Sequence, residues 1–528
     1  MFSRSTDALF QLIKSLEKSE KRNFKLFVKR NSGSDELKSI LLFDALDKMS
    51  DYNEISLLKK TPAISKGQLS NIKAQLYRQI LNSLRIIKDE NNIELQLHEL
   101  MDHARILYNK GLYLQSLKSL EKLKEIARTH HQFTYLQQVL FFEKKIEVLY
   151  ITRSIQNRAT QLSVESNAVI DSLKLVNNLS NLALQLYGWF IQHGHVRNEV
   201  DVKNIVLFFE NNLHAKANNA QGFYERLYLY QSYCWYAFIR LDFLQYYRHC
   251  QKWVNIFDQN PGMILVETAS YIKGMHNLMS AHFDLRNDVK MAQTLKIFEQ
   301  FARTSVVKQN PNSRILVYQY LYTARINYHF LQGSFDKGIR MVPFLEKMLK
   351  QYGLYLDAHR VLVFYYKIAS LYFGNGDCSK AIDYLNRIIN NKADLRTDLQ
   401  CYARLLNLIA HYELGNFELM EYLIKSVYRF MSKMENLSKV EEAIFVFLRR
   451  SFTVNAHAVK PEFEKLLLQL KQYESNPLEA RAFAYLDIIA WLESKISGVN
   501  VQDVIVKRNI ERKRRGREVI STPNIHTP

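Results

Sequence analysis

Residues 369–385, Ala-Ser-Leu-Tyr-Phe-Gly-Asn-Gly-Asp-Cys-Ser-Lys-Ala-Ile-Asp-Tyr-Leu, decide how this chain is read. Small and apolar residues recur at helical spacing up to Phe373, a turn centred on Gly376 follows, and the helical spacing resumes through Ala381 and Leu385. The unit is helix, tight turn, helix. Small side chains at Ala369 and Ala381 let two antiparallel helices approach closely, and Tyr372 fills the groove between them. Gly376 takes the left-handed geometry that ends the first helix at little steric cost.

The same turn recurs along the chain as Lys110-Gly111-Leu112-Tyr113, Gln332-Gly333-Ser334-Phe335 and Leu414-Gly415-Asn416-Phe417. Equivalent turns without glycine are read at Leu241-Asp242-Phe243 and Asn287-Asp288-Val289. From 241 onward the steps are 46, 46, 43 and 39 residues. The 130 residues between 111 and 241 hold three steps of similar size, with degenerate turns expected near Ser154 and Gly194. Such regularity marks a solenoid of stacked helix pairs. Composition agrees, because apolar residues make up 47% of the 528 while glycine numbers 16 and proline 8, too few turn formers for a β-rich protein. The 31 tyrosines and 30 phenylalanines fall mostly within helical patterns, where they fill the layers between helices. The fold class is all-α.

On the positions Ala369, Tyr372, Gly376, Ala381 and Leu385, the chain resembles a divergent member of the tetratricopeptide repeat superfamily. Other units keep only part of the set. The position of Ala381 is occupied by Ser116, Ala292 and Gly338 in three of them, but by Met420 and Tyr246 in two. Pro343 is expected to kink the second helix of the 333 unit or to shift its start. The period exceeds the family's usual length of about 34 residues and lies nearer the roughly 40–47 of HEAT-like arrays. The resemblance covers about residues 95–475 and implies a right-handed superhelix whose first helices line a concave groove for a peptide or protein partner. It places Trp235, Asn327 and Ser370 in that groove, six residues before the turn position, with Tyr228, Tyr320, Tyr366, Tyr402 and Tyr412 on adjacent turns. Aromatic side chains with a polar tip suit recognition of a peptide. The same rings also suit sealing of the stack.

Residues 1–94 read as a helical N-terminal cap domain, with a small DNA-reading module as the alternative. Thr6 or Asp7 caps a helix carrying Leu9, Phe10, Leu12, Ile13 and Leu16, Ser19 opens a segment carrying Phe24, Phe27 and Val28, and Asp35 caps a helix through Leu46. Ser65-Lys66-Gly67 precedes a longer helix that holds Lys73, Arg78, Arg85 and Lys88 off its apolar stripe. Asn310-Pro311 reads as a helix entry. Asn476-Pro477 likewise starts a terminal capping helix over 476–496 that carries Ala490, Trp491 and Leu492, and residues 497–528 read as a basic, flexible tail.

The net charge of +20 is diffuse, since residues 1–100 hold 17 basic and 13 acidic side chains. The exception is the run Lys507, Arg508, Arg512, Lys513, Arg514, Arg515 and Arg517, opposed only by Glu511. These cations suit contact with nucleic acid or another polyanion. Cys234, Cys250, Cys378 and Cys401 show no Cys-x-x-Cys spacing and read as small buried hydrophobes, not as a disulfide framework or zinc site. His130-His131 and His193-x-His195 have no second pair at metal-ligand spacing. No run reaches the roughly 18 apolar residues of a membrane span, and Met1–Phe10 lacks the apolar block of a secretory signal. A cytoplasmic protein with no membrane partner is expected. Glycine-rich phosphate loops, Gly-x-Ser-x-Gly and His-Glu-x-x-His are absent, so neither a catalytic group nor a cofactor is indicated. The expected function is a non-catalytic scaffold for a protein or peptide partner, and the alternative is a regulatory, nucleic-acid-associated protein. Nothing in the sequence selects an oligomeric state.

Overall fold

The computed structural model describes residues 7–30, 36–86, 92–149, 157–353, 355–391, 397–433, 438–451, 459–474, 476, 479 and 487–521. Among them every regular element is a helix. The chain divides into two compact units, one formed by residues 1–96 with 351–355, the other by residues 97–350 with 356–528. No helix among the described residues is long and apolar enough to cross a membrane.

The first unit contains α1 (Ala8–Ser15), α2 (Lys18–Arg30), α3 (Glu36–Lys48), α4 (Glu54–Lys60) and α5 (Lys66–Ile86). Its core gathers one residue or a few from each helix, including Ile13, Phe24, Phe43, Leu57 and Leu76, with the Phe24 and Phe43 rings 4.8 Å apart. Asp7 caps α1 by accepting the Phe10 amide at 2.8 Å. Asp35 and Lys88 lie outside the described residues. Lys73 departs from its expected place among outward charges. Its ammonium donates to the Asp7 carboxylate and, at 2.6 Å, to the Tyr52 hydroxyl, and it sits 4.5 Å from the Tyr52 ring centre. A four-carbon stem carries the charge off the stripe's edge to polar partners that spacing alone does not reveal.

The second unit is a succession of helices packed in neighbouring pairs. It begins within α6 (Ile93–Asn109), at residue 97, and continues with α7 (Tyr113–Thr129), α8 (Phe133–Leu149), the 36-residue α9 (Arg158–His193) and α10 (Glu199–Asn212). There follow α11 (Phe223–Ile239), α12 (Phe243–Gln259), α13 (Met263–Val266), α14 (Thr268–Asp284), α15 (Asp288–Phe301), α16 (Ser305–Lys308) and α17 (Pro311–Gln332). Next come α18 (Phe335–Ile339), α19 (Val342–Gln351), α20 (Ala358–Gly374), α21 (Cys378–Ile389), α22 (Thr397–Glu413), α23 (Phe417–Lys433), α24 (Lys439–Ser451) and α25 (Val459–Lys471). Sequential helices pack on one another, α11 with α12, α20 with α21, and α22 with α23. This is compatible with a helical-repeat fold. In the 376 unit Ala369, Ala381 and Leu385 are completely buried between α20 and their neighbours, as close helix approach requires.

One backbone device joins the pairs. Gly111, His131, Leu241, Arg286, Gly333, Gly376 and Gly415 all have φ between 54° and 86°. After each, the next amide donates to the carbonyl five residues back, Leu112 to Leu107, Gln132 to Ala127, Asp242 to Ala237, Asn287 to His282, Ser334 to His329, Asp377 to Tyr372 and Asn416 to His411, at 2.7–3.1 Å. This closure satisfies helix-end carbonyls that would otherwise lack a partner. Asp242, Asn287 and Asp377 do a second job, their side chains accepting the amide three residues on to start the next helix. The turn read at Asn287 is thus centred one residue earlier, on Arg286. Gly194 ends α9 with a φ of 74°, at the place where a turn is expected, but the step before it holds the single 36-residue α9 instead of a helix pair, and His131 makes a turn that its side chain concealed. Ser154 lies outside the described residues.

Asn310 caps α17 with Pro311 at its first position, and Pro343 stands at the second position of α19, where the chain has broken after α18. All four cysteines are buried, with the Cys234 and Cys250 sulfurs 3.6 Å apart as free thiols. In the terminal stretch a helix spans Ile488–Ser497 with Asp487 as its cap, while Pro477 lies outside the described residues. The segment expected as a flexible tail is helical over Val501–Ser521. Val504 and Ile505 are buried, and Arg508 donates to Glu493 at 2.9 Å and pairs with Asp487. Asn509 donates to the Leu331 carbonyl, and a Cβ on Gly333 would stand 2.9 Å from the Gln502 carbonyl oxygen. Apolar residues at 504 and 505 followed by an ion-paired 508 give this helix a docked face, which its basic composition masks.

Candidate partner-binding site

The first helices of successive pairs bring cations and rings together. The Lys273 ammonium, on α14, lies 5.6 Å from the Tyr187 ring of α9 and 5.7 Å from the Trp235 ring of α11, and those two rings are 5.0 Å apart. One turn along α14, His276 stacks at 4.2 Å on Tyr320 of α17, whose ring also stands 5.6 Å from the Arg360 guanidinium of α20. Two turns farther along both helices, the Lys367 ammonium donates to the Asn327 side-chain oxygen at 2.6 Å and lies 5.8 Å from the Phe330 ring. The spacing explains the register. Tyr320 and Asn327 are seven residues apart on α17, as are Arg360 and Lys367 on α20, so each pair shares a face and the two helices form two rungs.

The electrostatics of this wall are lopsided. Burial pushes the His276 imidazole down to about 3, and Arg360, Lys367 and Lys273 act in the same direction, so the ring is neutral near pH 7. Burial pushes Lys367 down to about 8 against the pull of Asp284. The Asp284 carboxyl is in turn pushed up to about 7 by burial, opposed by Arg286 and Lys367. Lys273 is lowered by burial and by the like charge of Arg360. Among the described residues neither Lys273 nor Lys367 has a carboxylate within ion-pair distance, and Arg360 pairs at 3.0 Å with Asp357, whose side chain is 57% exposed. Cations that have lost part of their water without gaining a full counter-charge hold a positive potential over the wall.

Of the residues picked by sequence, Trp235, Tyr320 and Asn327 belong to this wall, Trp235 with accessible surface and Tyr320 and Asn327 as buried members at 8% and 6% exposure. Tyr366 and Tyr402 are 5% and 4% exposed, so their rings offer little surface to a partner, and Ser370 donates to the Tyr366 carbonyl at 2.9 Å. Tyr228 stacks on Tyr224, its hydroxyl pKa raised by burial and then by Glu267. Tyr412 stands among Phe447, Phe463 and Trp491. Sequence reasoning missed Lys273, His276, Asp284, Arg360 and Lys367. A signal was present, since Arg360 and Lys367 are the only Lys, Arg, Asp or Glu residues in α20. In the C-terminal run Lys507 and Arg512 are exposed and Arg508 is engaged by Glu493 and Asp487. The side chains of Lys513, Arg514, Arg515 and Arg517 lie outside the described residues. No family model, curated protein or solved structure matches this chain.

Proposed function

We propose that this protein is a non-catalytic interaction scaffold that holds a segment of a protein partner against the wall formed by α9, α11, α14, α17 and α20. The observation that carries this reading is the presence of Tyr187, Trp235, Lys273 and Arg360, all with accessible surface, on the first helices α9, α11, α14 and α20, with the buried Tyr320 of α17 between the last two. Rings with few rotatable bonds supply contact area at low entropic cost. The tetratricopeptide resemblance supports the same use of the first helices. A tagged full-length chain and its Tyr187→Ala, Trp235→Ala variant, each purified from native lysate with nuclease present, test the reading. A discrete protein set held by the first and lost from the second is expected; the same set on both removes the wall from the function.

Contact with nucleic acid through the C-terminal basic helix is the second reading. Lys507 and Arg512 on its exposed side favour it, while the engagement of Arg508 subtracts from it.

A further inference from the structure

We infer that the segment held on this wall is an acidic peptide whose carboxylates alternate with apolar side chains. This rests on the scaffold reading and specifies its occupant. Three observations carry it. Lys273, Arg360 and Lys367 come from two helices to one wall, and the carboxylates that act on them are an exposed Asp357 at one edge and Asp284 beyond ion-pair distance. A ligand carboxylate supplies the missing counter-charge where water has already been displaced, which is where a charge-assisted hydrogen bond is strong.

The spacing fits an extended chain. Arg360 and Lys367 stand seven residues apart, about 10 Å along the axis of α20. Carboxylates two to four residues apart on an extended peptide span about 7–13 Å. The apolar part of the occupant is set by α9. There Leu184, Tyr187 and Ile191 are 67%, 39% and 42% exposed at helical spacing, and Tyr187 is the ring that faces Lys273. An apolar stripe beside a cationic wall is complementary to a segment carrying both kinds of side chain.

The same geometry disfavours single-stranded nucleic acid. Bases bind such grooves by stacking on free aromatic faces. Here Tyr320 is stacked with His276 and faced by Arg360, and Trp235 is flanked by Tyr187, Phe190 and Lys273.

The test uses the full chain and three fluorescein-labelled probes in anisotropy titrations: a 16-residue peptide alternating Glu with Leu, a 16-residue oligo-glutamate, and a 20-nucleotide oligo-thymidine. The expected result is that the Glu-Leu peptide binds most tightly. Lys273→Met, Arg360→Met, Lys367→Met together should weaken it at least tenfold, and Leu184→Ser, Ile191→Ser should reduce its advantage over oligo-glutamate. Lys507→Gln, Arg512→Gln should leave it unchanged. Circular dichroism and thermal unfolding accompany each variant. If the triple variant is misfolded, Arg360→Met alone, at a half-exposed side chain, replaces it with at least a threefold loss expected. Unchanged peptide affinity in a folded Met variant overturns the inference, as does oligo-thymidine binding of equal strength or no binding of either peptide. Retention of a cellular partner by the Met variant but not by the Tyr187→Ala, Trp235→Ala variant also overturns it, while leaving the scaffold reading standing.

Discussion

Two charge clusters in the second unit are built on the same helix-pair architecture and end in opposite states. Across α7, α8 and α9, Lys124 is 1% exposed and meets Glu143 at 2.6 Å and Glu165 at 3.7 Å, Arg158 meets Glu143 at 3.1 Å, and Arg128 pairs with Glu165. Across α14, α17 and α20, Lys273, Arg360 and Lys367 meet rings, an amide and one exposed carboxylate. In the first cluster each cation is satisfied inside the protein, so its role ends with the fold. In the second the cations keep a solvent-facing side, Lys273 and Lys367 without a carboxylate at ion-pair distance and Arg360 with only the exposed Asp357. Charges that hold helices together are thus set apart by the carboxylates that other helices bring to them, and charges held ready for something else by the lack of these.

The comparison breaks first at its structural end. Lys124→Met leaves the buried Glu143 carboxylate with Arg158 alone, and an expected loss of about 3–5 kcal/mol should appear in urea unfolding of the full chain. Adding Glu143→Leu to that variant should recover a large part of the loss, because a buried ion pair is replaceable by well-packed apolar groups even though half of one is not. A double variant no better than the single one would show that packing around Lys124, not its charge, carries the stability.

At the other end, Lys273→Met should change stability by no more than about 1 kcal/mol, and upward if at all, because it removes a half-buried charge beside a like charge without orphaning a carboxylate. A loss as large as that of Lys124→Met would make the two clusters alike and count against a ligand-directed role. The smallest effect is a pH dependence. The Asp284 carboxyl, raised from 3.8 to about 7, binds its proton more tightly in the folded chain, so its contribution to stability is complete below about pH 4 and is lost as pH rises through about 7. The stability of wild type relative to Asp284→Asn should therefore fall as pH rises over that interval. His249, His276 and His282, all held below their ordinary value, destabilise on acidification in both proteins and cancel in the difference. Parallel pH curves would remove Asp284 from the titrating groups of this wall.

Much of the fold was legible because its signals are short-range. Gly376-Asp377 and Leu241-Asp242 announce a left-handed residue followed by a cap, and every bond that closes such a turn lies within five residues. His131 hid the same turn, and Arg286 displaced it by one residue from where it was read, because a side chain in the left-handed region costs about 1–2 kcal/mol and so carries no turn signal of its own. The docked helix Val501–Ser521 was hidden differently. Its few apolar residues were outweighed in the reading by cations, and Leu331 and Gly333, which receive it, stand some 170 residues earlier. The candidate site was legible by halves. Trp235, Tyr320 and Asn327 followed from their place before the turns, while Lys273, Arg360 and Lys367 stand in no motif that singles them out.

What the sequence determined by itself was therefore an all-α chain of helix pairs joined by turns, because helical periodicity, caps and left-handed turn residues act over a few residues and need no knowledge of distant chain. What only the tertiary structure decided was which charges are neutralised. Lys124 and Lys273 are both lysines in the middle of amphipathic helices, yet one finds carboxylates 19 and 41 residues away while the other finds the rings Tyr187 and Trp235. The state of a charge depends on what other helices bring within a few ångströms of it, and no local pattern encodes that.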